Sequence, residues 1–136
     1  MIFGYNQKTG QLISRENDRG AKINFTYHTN GERQKTIFPT GYTIERKIDE
    51  KGKILEILDG FDVQKSYAYD TYDRVTTIRT VVGSTQFTYD DGGDLRMVLD
   101  SRGFATSYDY DKQHNLRKVA DAEGGVSSYK LVPLTN

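Results

Sequence analysis

The chain has 136 residues, enough for one domain, and its 19 basic residues balance 19 acidic ones at a formal charge of zero. With neither a basic excess nor a basic block, it lacks the electrostatic footprint of a nucleic-acid binder, and no apolar run reaches the roughly 18 residues needed to cross a bilayer. Cysteine is absent, which excludes disulfides and thiolate metal sites, whereas 10 Tyr and 6 Phe supply rings suited to a half-buried pleated surface.

From the start of the chain, Phe3 and Tyr5 flank Gly4, with no charged and apolar leader of the signal-peptide kind before them. Two large residues at i and i+2 point to one face of a β-strand, because a helix would set them about 200° apart. Asn6 and Gly10 then mark a turn, Leu12 opens a return strand, and Asn17 and Gly20 mark a second turn. The order repeats from Phe25, Thr26 and Tyr27, with His28 and Gly31 at the first turn and Phe38 and Gly41 at the second. In this copy Arg33 stands where the others place an aliphatic residue. A third copy runs through Arg46, Lys47 and Ile48, then Asp49 and Gly52, Ile54 and Ile57, and Asp59 to Asp62, with Arg46 in an otherwise apolar slot.

The later copies are more regular. Tyr67 and Tyr69, Phe87 and Tyr89, and Tyr108 and Tyr110 enclose Ala68, Thr88 and Asp109, which are small or polar. Asp70, Asp90 and Asp111 follow, and then come Asp73, Gly93 and His114. Val75 with Ile78, Leu95 with Val98 and Leu116 with Val119 form the return strands, closed by Thr80 to Gly83, Asp100 to Gly103 and Asp121 to Gly124. The anchors Tyr5, Tyr27, Ile48, Tyr69, Tyr89, Tyr110 and Leu131 are spaced by 22, 21, 21, 20, 21 and 21 residues. This register predicts about six hairpins, each built as strand, turn, strand, turn. Asp73 and His114 stand in slots otherwise held by Gly, so both are predicted at positive φ, which Asp, Asn and His tolerate best among non-Gly residues. Tyr89 and Tyr110 are predicted to be buried on one face, with Thr88 and Asp109 on the other.

The clearest copies, YDDGGDLRMVLDSRGFATSYDY (89–110) and YDKQHNLRKVADAEGGVSSY (110–129), resemble the tyrosine-aspartate repeat family, also called YD or Rhs repeats. The resemblance extends over residues 3–131. It implies an all-β fold of antiparallel tandem hairpins in a curled or folded-over sheet, like the hollow shells that enclose toxin segments in this family or the adhesion modules of its animal relatives. About twelve strands at about 4.8 Å each would make a sheet roughly 58 Å wide, a width at which sheets normally curl. The family's self-cleaving segment, with its Asp-Pro signature, has no counterpart here, since neither Pro39 nor Pro133 follows an Asp. The expected organisation is a single repeat domain over 3–131 and a C-terminal tail over 132–136.

No hydrolase, metalloprotease or phosphate-loop pattern is present, and the two histidines, His28 and His114, both occupy turn slots. Asp90, Asp91 and Asp94 suit a hard cation in composition, but they lack the distal Glu of an EF-hand loop. No cofactor, metal or catalytic residue is therefore expected, and the chain reads as a non-enzymatic scaffold or shell segment. The alternative is a carbohydrate or cell-surface binding module that stacks Tyr67, Tyr69, Phe87, Tyr89, Tyr108 and Tyr110 on a glycan. Expected partners are further copies, or a larger parent of the same repeat type, with neither nucleic acid nor membrane among them. The location expected is the cytoplasm or a larger secreted or cell-surface protein.

Overall fold

The computed structural model describes residues 1–129, so Leu131 and the tail over 132–136 lie outside the described residues. The chain divides into two compact units, Met1–Tyr67 and Ala68–Asn136. The first contains β1 (Ile2–Tyr5), β2 (Leu12–Glu16), β3 (Lys22–Tyr27), β4 (Arg33–Ile37), β5 (Thr43–Ile48), β6 (Ile54–Asp59) and most of β7 (Asp62–Tyr69). The second contains β8 (Val75–Thr80), β9 (Gly83–Tyr89), β10 (Leu95–Leu99), β11 (Ala105–Tyr110), β12 (Leu116–Ala120) and β13 (Val126–Ser128). Within each unit strand order follows chain order, every described pairing is antiparallel, and no helix occurs among the described residues. The all-β hairpin array expected from the sequence is thus the observed architecture.

The hydrogen bonds of the turns explain why Asp begins most of those in the later copies. The Asp49 N–H donates to the Lys53 carbonyl at 2.9 Å, and the Gly52 N–H donates to the Asp49 carbonyl at 3.0 Å. The Asp49 carboxylate then accepts from the N–H groups of Lys51 and Lys53, both at 2.9 Å. This is a type I turn followed by one left-handed residue, a hairpin loop whose carboxylate satisfies donors the strands leave free. Asp70, Asp100, Asp111 and Asp121 repeat the same pair of side-chain bonds to positions two and four residues on. The left-handed slot falls on Asp73 at φ 63° and on His114 at φ 66°, as the repeat register requires. The first turn is one residue longer, with the Gly10 N–H donating to the Asn6 carbonyl at 2.8 Å, and this accounts for the initial spacing of 22.

Two second turns depart from the expected register. Asp62 does not take a left-handed turn slot. It pairs with Asp59 across a two-residue loop in which Gly60 carries the positive φ of 67°. Val81 and Val82 likewise form a two-residue loop between Thr80 and Gly83, which accounts for the spacing of 20 between Tyr69 and Tyr89. After the Gly60 loop the missing residue is made up by a register shift, because Leu58 pairs with Val63 but Ile57 pairs with Lys65.

A bulge beside each described first turn reconciles two periods that do not match in the sequence. The aromatic pairs are spaced by two, the aliphatic pairs of the return strands by three. In β9 and β10, Tyr89 pairs with Leu95 and Phe87 with Val98, because Arg96 is an extra residue between them. Tyr110 pairs with Leu116 and Tyr108 with Val119 in the same way, as do Ile48 with Ile54 and Arg46 with Ile57. One inserted residue returns the strand to the same face, so both sets line it together.

Inside either unit this face meets no second layer, because described contacts between strands run only between chain neighbours. Curling or folding-over is therefore not what buries the rings within a unit. Phe25, at 9% exposure, is the one buried hydrophobic residue among those described, while Tyr89 and Tyr110 are half-buried, short of the expected core burial. The physical reason is that neighbouring side chains cover the rings sideways along the ladder, while within a unit no second layer lies over them. Thr88 is exposed as expected, and Asp109 is half-buried because it pairs with Arg96 across the bulge.

Candidate functional site

Of the six candidate stacking rings, Tyr67 belongs to the first unit and the other five to the second. Tyr67 and Tyr69 are on β7, Phe87 and Tyr89 on β9, Tyr108 and Tyr110 on β11, and all six are half-buried. Several are already engaged by neighbours. The Tyr89 hydroxyl donates to the Val75 carbonyl on β8 at 2.7 Å, and the Arg74 guanidinium lies 4.5 Å from the Tyr89 ring centre. Arg74 also donates from Nε to Asp70 at 2.8 Å and stands 5.1 Å from the Tyr72 ring. Lys65 covers the Tyr67 ring at 5.5 Å. Burial pushes the Tyr110 hydroxyl pKa upward, and the nearby Asp94 charge adds to the effect.

The Tyr89 bond has an exact counterpart in the first unit, where the Tyr27 hydroxyl donates to the Leu12 carbonyl on β2 at 2.6 Å. In both places two adjacent strands are joined by a turn at their far ends and splay at the near end. The tyrosine fills that splay and satisfies a carbonyl lying beyond the paired stretch.

The first-turn edge carries the ionisable groups. His114 Nδ1 lies 2.6 Å from the Asp94 carboxylate of the preceding repeat, a contact that raises the histidine pKa above its ordinary 6.5. Asp100 is held below the usual carboxylate range by the Arg102 side chain and by the N–H of Phe104. At Asp111 the Asn115 N–H is the main cause of the lowering, and at Asp49 it is the Lys53 ammonium. Desolvation is the largest influence on Asp70 and pushes it up, yet the bonds from Arg74 and Tyr72 together bring it below the ordinary value. These are structural contacts of turns. Among the described residues no group of three or more His, Asp or Glu side chains is placed to hold a metal ion, and Asp90, Asp91 and Asp94 form no such cluster. His28 also serves a strand, with Nε2 at 2.8 Å from the Arg46 carbonyl.

One place in the first unit breaks the pattern three times over. The splay between β4 and β5 should receive the anchor of the third repeat, which is Ile48 and has no hydroxyl. Arg33 and Arg46 flank the same opening in slots that are apolar in the other copies. The result is a cleft of about 360 Å³ lined by Tyr27, Arg33, Gln34, Thr36, Ile44 and Arg46. Beside it lies a second of about 280 Å³, which shares the two arginines. Sequence reasoning marks Arg33 and Arg46 as departures. That they stand on two neighbouring strands around one opening is visible only in the structure.

Residues 89–126, the fifth and sixth hairpins, match the family model of the RHS repeat. These residues carry the RHS repeat. The chain's fold recurs in solved structures that contain the toxin components TcdB2 and TccC3. The TcdB2-TccC3-Cdc42 crystal structure matches 93% of this chain with a TM-score of 0.65 at 19% identity, over 8% of that structure's chain. The Photorhabdus luminescens Tc holotoxin pore matches 89% with a TM-score of 0.62 at 15% identity, over 9% of its chain. At these identities the likeness is one of fold, and the chain spans less than a tenth of either of those chains. No curated protein matches the sequence.

Proposed function

We propose that this chain is a stretch of wall from an RHS-repeat assembly, non-catalytic in itself, whose face is covered by further repeats or by what the assembly encloses. The carrying observation is the uncovered face: each unit is one layer thick, and its rings and aliphatic residues are satisfied only sideways, along the ladder. A free-standing domain of this size would ordinarily pack that face against a second layer. The likeness to parts of Tc toxin chains supports a role in a large particle and makes toxin encapsulation the favoured setting. Glycan stacking by the six candidate rings gains no support from the geometry, because Tyr67 and Tyr89 already carry a cation on their rings.

Electron microscopy of the purified chain at rising concentration tests the wall reading, with sheets or closed particles as the expected outcome and dispersed monomers throughout as the contrary one. A panel of hydrolase substrates tests the non-catalytic part. Turnover abolished by one side-chain substitution that leaves the fold intact would refute it.

A further inference from the structure

We propose that the cleft between β4 and β5 is an oxyanion-binding site that takes a carboxylate or phosphate group between Arg33 and Arg46. It lies wholly within the first unit and stands whether or not the chain is part of a wall.

The case begins with what the repeat normally does there. Tyr27 closes the splay between β2 and β3, and Tyr89 closes that between β8 and β9, each by a hydroxyl bond to the strand beside it. The corresponding carbonyl for the third repeat belongs to Arg33, and the corresponding anchor is Ile48. An isoleucine is shorter than a tyrosine and donates nothing, so the splay stays open.

The two arginines then supply what the opening lacks in apolar filling. The Arg33 guanidinium lies 4.2 Å from the centre of the ring of Phe25, the most buried residue described, a cation–π contact that favours this position at the cleft. Arg46 stands on β5 next to Ile44, and Thr36 and Gln34 add polar groups to the lining. Both arginines are exposed, and neither takes part in any described ion pair.

No carboxylate lines the larger cleft itself, although Glu32 lines the smaller one beside it. Glu45 pairs with Lys35 at 3.0 Å, Glu56 pairs with Lys47 at 2.9 Å, and the Glu32 carboxylate accepts from Asn30 at 3.3 Å. Asp59, opposite Ile44 in the register, has one buried carboxylate oxygen without a described partner and forms no described bond to either arginine. Two guanidinium groups without carboxylate partners, held around a cleft with an apolar side, are suited to the forked recognition of an oxyanion. A glutamate side chain from a neighbouring polypeptide and a free phosphate present the same chemistry.

The experiment follows the Arg33 and Arg46 Nε–H signals of the full chain by NMR while a tetraglutamate peptide or inorganic phosphate is added, with sodium chloride at equal ionic strength as reference. Saturable shifts with either probe beyond the chloride effect are expected, and the tighter of the two identifies the source of the oxyanion. Arg33→Leu and Arg46→Tyr restore residues that other repeats carry in those slots, and each should weaken binding about tenfold or more. Ile48→Tyr leaves both arginines in place but closes the splay, and it should abolish binding while the thermal midpoint holds or rises. Shifts no greater than those with chloride, or an Ile48→Tyr protein that binds as well as the parent, would overturn the site.

Discussion

A single turn position shows how far one residue's backbone preference reaches. Asp73 occupies the left-handed slot at φ 63° that Gly fills in most copies. Asp73→Val should cost about 1–2 kcal/mol more than Asp73→Gly, because both lose the carboxylate but only the branched β-carbon is strained there. Urea unfolding of the two variants is the check, and equal midpoints would contradict it. At His114 the same slot also carries a titratable ring against Asp94, at 2.6 Å. Its pKa is raised above 6.5 in the folded chain, so the stabilising tie is complete below pH 6.5 and is lost as pH climbs through the raised value. The thermal midpoint should therefore fall slightly as pH rises above 6.5, and His114→Asn, which keeps the backbone conformation, should remove that slope in calorimetry. The turn aspartates behave in the opposite sense. Asp49, Asp70, Asp100 and Asp111 are all held below 3.8, so their contribution is present above that value and is lost as pH falls through the lowered ones.

Between elements, the tyrosine that closes a splay joins one hairpin to the next. Tyr89 reaches from β9 to the Val75 carbonyl while Arg74, pinned by Asp70, lies over its ring. Tyr89→Phe keeps the ring and removes the bond, and should cost about 1 kcal/mol. Tyr89→Ala also gives up the half-buried ring, for about 2 to 3 kcal/mol in all, less than a fully enclosed ring would cost. Chemical denaturation of both variants would show it, and a loss for Tyr89→Ala no larger than that for Tyr89→Phe would mean that the ring contributes nothing by packing.

For the molecule as a whole, the uncovered face makes association the expected behaviour. Ile2, Phe3 and Tyr5 on β1 are 65%, 48% and 54% exposed, although Phe3 and Tyr5 hold the slots that Phe25 and Tyr27 fill in the next repeat. Exposed rings on a face with no second layer favour the addition of another layer or strand. Sedimentation equilibrium over about a hundredfold range of concentration should show mass rising with concentration. A constant monomer mass would require the chain to be stable with its face in water, and the association prediction would fail.

The sequence by itself determined the hairpin period, the turn chemistry and the left-handed residues, because each depends on local backbone preferences that a residue type carries with it. It did not determine how an aromatic spacing of two could meet an aliphatic spacing of three, since that needs the inserted bulge residue, and a bulge is defined only by the strand opposite. It misplaced the Asp62 turn because a two-residue loop compensated by a later register shift leaves the overall period unchanged. The half-burial of Tyr89 and Tyr110 and the open cleft at Ile48 were decided by tertiary structure alone. Both depend on which strand lies beside which and on whether anything lies above them.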